Sequence, residues 1–315
     1  MKKLFKLLPI FILSIGLTFT SCKKDQKSIS TTDTNSIQQL TKDDNQVQAS
    51  SDDVINDAND ALSNSNSKSI QWSNHCNVTL DSIISNSGID TLVLTYNGLN
   101  CKGTFDKKGI VYVVKQKNTH WSNAGTSVTI IFNNLSVTKV SNSKTFILNG
   151  TKIFTNVSGG LLIQLGNGYS SIIHEIKGNL NIKFDDGTNR TWNISRRKTF
   201  TGSFNISTLT FTNLMLSVEG FGTSNGYTNL ETYGTNRNGE LFYTQINSAI
   251  QYSYNYNWKP VSGQLIHQIP SNYEKATLTY GYDSNNNSTT IYSNITEYKL
   301  DWIKGNKSGT MFILL

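Results

Sequence analysis

Arginine is nearly missing from this chain. It occurs only at positions 190, 196, 197 and 237, and the basic excess of 28 Lys+Arg over 21 Asp+Glu rests on dispersed lysines. A nucleic-acid binder gathers Arg and Lys on one face, so no nucleic-acid partner is expected. Arg190, Arg196, Arg197 and Lys198 form the one local concentration, which reads as a solvated turn or strand edge. Charged residues of both signs make up only 16%, and prolines number 3. Asn, Ser, Thr, Gly and Tyr take their place. That profile fits an extracytoplasmic β-protein whose solubility comes from neutral polar groups.

Catalytic signatures are missing too. His174-Glu175 is followed by Ile-Lys-Gly instead of a second His at i+4, so the zinc-protease helix motif is absent. Asp283, Asn285 and Asn287 match the first three oxygen ligands of an EF-hand loop. However, Ser288 stands where the sharp-turn Gly belongs and Asn294 where the bidentate Glu belongs, so the segment reads as an Asn-rich turn. Neither a G-x-S-x-G elbow nor a phosphate-binding G-x-x-x-x-G-K-[ST] loop occurs. Asp185 and Asp186 are adjacent and face apart on a strand, so they are not the spaced carboxylate pair that a glycosidase needs. No metal, cofactor or enzymatic activity is expected from these residues.

The N-terminus carries an address. Lys2, Lys3 and Lys6 precede and interrupt an apolar stretch that ends near Phe19, without an acidic residue. That stretch suits a signal segment over 1–21 and falls short of the roughly 20 apolar residues of a spanning helix. Leu17-Thr18-Phe19-Thr20-Ser21-Cys22, with Lys23, Lys24 and Asp25 behind it, resembles the lipobox of bacterial lipoproteins. The resemblance implies a diacylglyceryl group on Cys22 and cleavage before it. Phe19 departs from the preferred aliphatic residue. The alternative is an ordinary secretory signal with an incidental cysteine. Without Lys2, Lys3 and Lys6 the basic count falls to 25 against 21, a net charge of +4. Two or more acyl chains anchor stably where one does not, so the expected location is the outer membrane, on its periplasmic face or at the cell surface.

Residues 22–70 read as a disordered tether, because 23–50 hold few large apolar side chains. Within it a short helix is expected near 52–62, where Val54, Ile55, Ala58 and Leu62 share one face behind a Ser51 or Asp52 cap. From 71 to 315 the period changes to two. Thr91–Tyr96, Ile110–Val114, Ser127–Leu135, Thr277–Tyr280 and Met311–Leu314 are strand runs bounded by turn residues. Asn149-Gly150, Asp186-Gly187 and Asn238-Gly239 mark hairpins. The fold class is therefore all-β, with antiparallel sheets forming a sandwich or one large curved sheet behind the tether and its short helix. Phe132–Val137 echoes Phe211–Val218, and Thr91–Gly98 echoes Thr277–Gly281, so two similar β halves are possible organisation for this region.

Cys76 and Cys101 remain once Cys22 is assigned to lipid. In an oxidising compartment they read as a disulfide, with two free buried thiols or a Cys76 nucleophile beside His75 as the alternatives. Tyr252, Tyr254, Tyr256 and Trp258 alternate with Ser253, Asn255 and Asn257. On a strand the four aromatics share one face, either as a stacking platform for a ligand such as a glycan or as a core-facing stripe with the polar partners in solvent.

The order of motifs from about 75 to 300 is distinctive. It runs through Tyr96-Asn97-Gly98, Cys101-Lys102-Gly103, Asn149-Gly150-Thr151, Asp186-Gly187-Thr188 and Gly234-Thr235-Asn236-Arg237-Asn238-Gly239. It resembles a group of uncharacterised β-rich lipoproteins of Bacteroidetes. The group brings no catalytic residue with it. Some of its members carry further cysteines near the C-terminus, and this chain does not. The expected function is a lipid-anchored, non-enzymatic binding or surface module whose partners are the membrane and a glycan or an envelope protein. The alternatives are a hydrolase with an unrecognised site and a structural envelope lipoprotein.

Overall fold

A computed structural model describes residues 35–64 and 76–315. The expected signal segment 1–21, Cys22 and residues 65–75 lie outside the described residues. The β region is one 15-stranded sheet in which every ladder between strands is antiparallel. Strands β1 (Val78–Asn86), β2 (Ile89–Leu99), β3 (Phe105–Gln116), β4 (Thr126–Lys139), β5 (Lys144–Asn156), β6 (Ser171–Phe184) and β7 (Asn189–Asn205) each pair with the next. After β8 (Thr210–Gly220), β9 (Gly222–Ser224) and β10 (Tyr227–Thr235) the meander resumes. It continues through β11 (Leu241–Ser253), β12 (Lys259–Ile269), β13 (Glu274–Tyr282), β14 (Glu297–Lys304) and β15 (Lys307–Leu314).

The space between β7 and β11 is filled end to end by two strands. β10 pairs with β7 at Trp192–Ile194 and with β11 from Leu241, while β8 pairs with β7 from Arg196 onward and with β11 at Ile250–Ser253. The echoed segments fall on β2, β4, β8 and β13 of this one sheet. β15 closes the path, paired only with β14.

The helix is the largest departure from the sequence expectation. It is not a short element near 52–62 but α1, Asn35–Asn64, 30 residues long, and it takes in residues 35–50 that were read as tether. Ile37, Leu40, Val47, Val54, Ile55, Ala58 and Leu62 are buried. Its polar bonds reach β2 (Tyr96 Oη to Asp57, 2.9 Å), β3 (Lys107 Nζ to Asp53, 3.1 Å), β7, β11 and β13. The sheet therefore curls around the helix. The tether reading failed because Asp43, Asp44, Ser50, Ser51 and Asp52 are buried as well. Polar residues offset ordering entropy only when the fold supplies partners for them, and those partners lie on distant strands.

The Asn149-Gly150 hairpin does not form. Both residues sit inside β5, which runs straight through them. Gly150 has φ +130°, and a Cβ there would stand 2.2 Å from the carbonyl oxygen of Asn179 on β6. The glycine serves a close approach of neighbouring strands, a use that glycine has as well as tight turns. Asp186-Gly187 and Asn238-Gly239 do turn, between β6 and β7 and between β10 and β11.

Cys76 and Cys101 form a disulfide with Cα atoms 5.1 Å apart across a separation of 25 residues. It ties the start of β1 to the turn after β2, beside a bond from Asn77 Nδ2 to the Gly98 carbonyl. Loop closure of this size stabilises by about 3 kcal/mol in the chain-entropy model. Changing both cysteines to alanine is expected to lower the urea unfolding free energy by that amount, with an unchanged far-ultraviolet spectrum. An unshifted urea midpoint would show that the crosslink constrains nothing.

Candidate functional site

The site begins with the alternation on β7. Arg190, Trp192, Ile194, Arg196, Lys198 and Phe200 all point inward and are buried, while Arg197 on the opposite face pairs with Glu175 on the exterior. The cluster of basic residues is thus not a solvated edge. Three of its four members are core residues facing α1. The period-2 placement of these cations among Trp192, Ile194 and Phe200 was the one sequence signal that could have shown this.

Each inward cation of β7 meets an acid. Arg190 Nη2 donates to Asp44 Oδ1 (2.6 Å), and Thr232 and Thr244 donate to Asp44 Oδ2. Arg196 Nη1 and Lys198 Nζ both donate to Asp52 Oδ2, at 3.0 and 3.1 Å. Arg196 Nε lies 2.7 Å from Glu231 Oε1 of β10. Lys152 Nζ of β5 donates to Ser51 Oγ (2.6 Å) and stands 4.8 Å from the centre of the Trp192 ring. At one end of α1, Arg237 donates two parallel bonds to Asp43 and a third to Asp186, and its guanidinium lies 3.5 Å from the Phe184 ring centre. That clasp joins the two hairpin turns seen in the sequence to the helix.

Electrostatics follow from burial. Burial alone would raise the Asp52 carboxyl, but Lys198, Arg196 and Lys152 override it and hold it down at about 2. Lys152 is lowered to about 7 by burial, against the pull of Asp52. Burial also lowers Lys198, with Asp52 opposing, and raises Glu231, with Arg196 opposing. The arrangement has more cation than anion around Asp52.

This charged layer separates two apolar cores. One holds α1 with Leu92, Val111, Ile130, Leu180, Trp192 and Ile194, and the other holds Ile172, Phe200, Leu214, Leu216, Val218 and Trp258. Where they meet lies a cavity of about 100 Å³. Its helix wall is the stripe Thr41, Asn45, Gln48 and Asp52, spaced so that all four lie on one side of α1. Arg196 and Lys198 form a second wall. Leu216, Val218, Trp258, Leu265 and Leu278 with Tyr252, Tyr280 and Tyr298 form the third. Asp52 Oδ1 and Arg196 Nη2 are buried without a protein partner, an arrangement that costs about 1–3 kcal/mol per group, more when charged, unless something else satisfies them.

The aromatic residues noted in the sequence are divided by this arrangement. β11 ends at Ser253, a 3-10 turn covers Tyr254–Tyr256, and Asn257 and Trp258 both have φ +57°. Tyr252 and Trp258 line the cavity, Tyr254 packs edge-on against Trp258, and Tyr256 is exposed beside Tyr292. Ser253 is buried rather than facing solvent. The four aromatics therefore do not form one strand face, because the strand ends before the second of them. Cys22 lies outside the described residues.

Other candidates resolve locally. His174 points inward among Trp121, Phe154 and Phe200, and burial, with Lys198 nearby, holds it down at about 3. Its neighbour Glu175 faces outward to Arg197, so the two cannot share a metal. Asp283 Oδ1 accepts from the backbone N–H groups of Asn285 and Asn287, closing a turn. His267 lines the cavity, its Nδ1 2.9 Å from Thr244 Oγ1, and burial lowers it. Among the described residues, no group of three or more His, Cys, Asp or Glu could hold a metal, and no helix is long and apolar enough to cross a membrane.

Comparison with protein-family models, with curated proteins and with solved structures finds no match to this chain.

Proposed function

We propose that this chain is an exported binding module, anchored in a bacterial envelope membrane by a lipid on Cys22, that takes a small ligand into the cavity between α1 and the sheet. The observation that carries the binding half is the cavity itself, charged on one wall and aromatic on another, with an unpartnered Arg196 Nη2 and Asp52 Oδ1 in its lining residues. Ligand sites are concave, largely apolar and carry a few placed polar groups. Binding is favoured over hydrolysis because the acid that lines the cavity, Asp52, is held by Arg196 and Lys198. A carboxylate so paired is a poor general base at neutral pH. The kinship with β-rich lipoproteins of Bacteroidetes belongs to the same proposal, as does an outer-membrane location.

The anchoring half is supported by Lys2, Lys3 and Lys6, the apolar stretch and Ser21-Cys22. The Cys76–Cys101 disulfide supports an oxidising compartment. Detergent phase partition of cells making the full chain tests it. The wild type is expected in the detergent phase with a diacylated Cys22 at the mature N-terminus by mass spectrometry, and Cys22→Ala in the aqueous phase. An unmodified Cys22, or cleavage elsewhere, defeats the anchor.

A further inference from the structure

We infer that the cavity is a site for a small monocarboxylate with a compact apolar body, its carboxylate at Arg196 and Lys198 and its body against Leu216, Val218 and Leu278. This rests on the proposal that the cavity takes a ligand.

The charge of the ligand follows from the layer. The charged side chains that line the cavity are Arg196, Lys198 and Asp52, one cation more than anion. A monoanion balances that excess, whereas a dianion would leave a buried negative charge and a cation would add to the repulsion. The head is placed by the donors that remain. Arg196 Nη2 is buried and without a partner, and Lys198 Nζ uses one of its three N–H groups on Asp52. Both belong to residues that line the cavity. Guanidinium and ammonium together are the donors that hold a carboxylate most firmly.

The body is set by the opposite wall and by volume. Leu216, Val218 and Leu278 are buried and present no polar atom to a ligand. A water needs about 10–15 Å³ of such space, so a cavity of about 100 Å³ admits a ligand of about eight non-hydrogen atoms. Hexanoate has that size. The amides of Asn45 and Gln48 also line the cavity, where they can accept from or donate to a polar substituent.

Calorimetric titration of the full chain tests this with three probes of one length: hexanoate, hexan-1-ol and hexylammonium. Hexanoate is expected to bind about 30-fold more tightly than the alcohol, the worth of a charged hydrogen bond, and hexylammonium not at all. If the alcohol or the ammonium binds as well as hexanoate, the ligand class is wrong while the cavity remains a site. If none binds, the cavity reading fails with it. Val218→Phe, which fills the apolar wall, is expected to abolish binding of every probe. Lys198→Met is expected to weaken hexanoate about 30-fold and leave the alcohol unchanged. Hexanoate binding equally to both variants places it elsewhere on the protein and overturns the assignment. Should either variant fail to fold, judged by its thermal transition without ligand, the three-probe series on the wild type decides alone.

Discussion

Replacing Asp52 by alanine is expected to cost about 3–5 kcal/mol of stability, because it strands Arg196 and Lys198 in the interior without their shared acid. Asp52 is 2% exposed, and its Oδ2 takes bonds from both cations. Glu231 continues to hold Arg196, but Lys198 has no other carboxylate in bonding reach. Asp52→Asn keeps the shape and one acceptor, so it should lose less. Urea unfolding at pH 7 measures both. A loss under 0.5 kcal/mol for the alanine variant, the range of ordinary surface changes, would mean that the layer tolerates unpaired cations. The pH dependence has a definite sign. The Asp52 carboxyl is held at about 2 in the folded chain against 3.8 in the unfolded one. Its contribution, on the order of 2 kcal/mol, is therefore complete above pH 4 and lost as the pH falls toward 2. The gap between wild type and Asp52→Ala should narrow over that window.

Lys152→Met is expected to act in the opposite direction, stabilising the protein at pH 7 by about 1–3 kcal/mol. Lys152 is 0% exposed, bonds only the neutral Ser51 hydroxyl, and sits over the Trp192 ring. Its removal takes a cation from a layer already rich in them, while Asp52 keeps Arg196 and Lys198. Ser51 Oγ still donates to the Val47 carbonyl at 2.7 Å, and methionine fills the space of the lysine stem. The lysine is held at about 7 when folded and has its model value of 10.5 when unfolded. Below pH 7 both states are protonated and the cost of burial is full. Between 7 and 10.5 the unfolded chain holds the proton that the folded one has released, so wild-type stability climbs with pH, by a total on the order of 4 kcal/mol. The methionine variant lacks this rise. Urea midpoints of the two proteins at pH 6, 7, 8.5 and 10 should approach each other and then cross as the pH rises, and parallel profiles would refute a titrating buried Lys152.

These two residues also show where the sequence stops informing. Asp52 stands at the start of the short helix that the apolar spacing predicts, and Lys152 follows an Asn-Gly pair that resembles a hairpin turn. Local rules read the first as a helix cap and the second as the start of a new strand. Both readings fail for one reason: the partners are far away in the chain. Asp52 is 144 residues from Arg196, Lys152 is 101 residues from Ser51, and Arg190 is 146 residues from Asp44. A period-2 pattern with cations among Trp192, Ile194 and Phe200 was visible, but a buried arginine cannot be told from an exposed one until its acid is known.

What the sequence determined alone is local or compositional. Strand alternation set an antiparallel all-β body with one helix, because successive side chains take opposite faces. Asp186-Gly187 and Asn238-Gly239 set turns, since few other pairs accept positive φ so readily. The two cysteines beyond Cys22 set the Cys76–Cys101 pair. Tertiary structure alone decided that residues 35–64 form one long helix, that Gly150 lies inside a continuous strand, and that β11 ends before the aromatic run can form a face. It also decided that Arg190 and Arg196, two of the four arginines, are interior residues. Their burial requires counter-charges that only a sheet curled around α1 brings within hydrogen-bonding distance, and that curvature is a property of the whole sheet and of no segment of it.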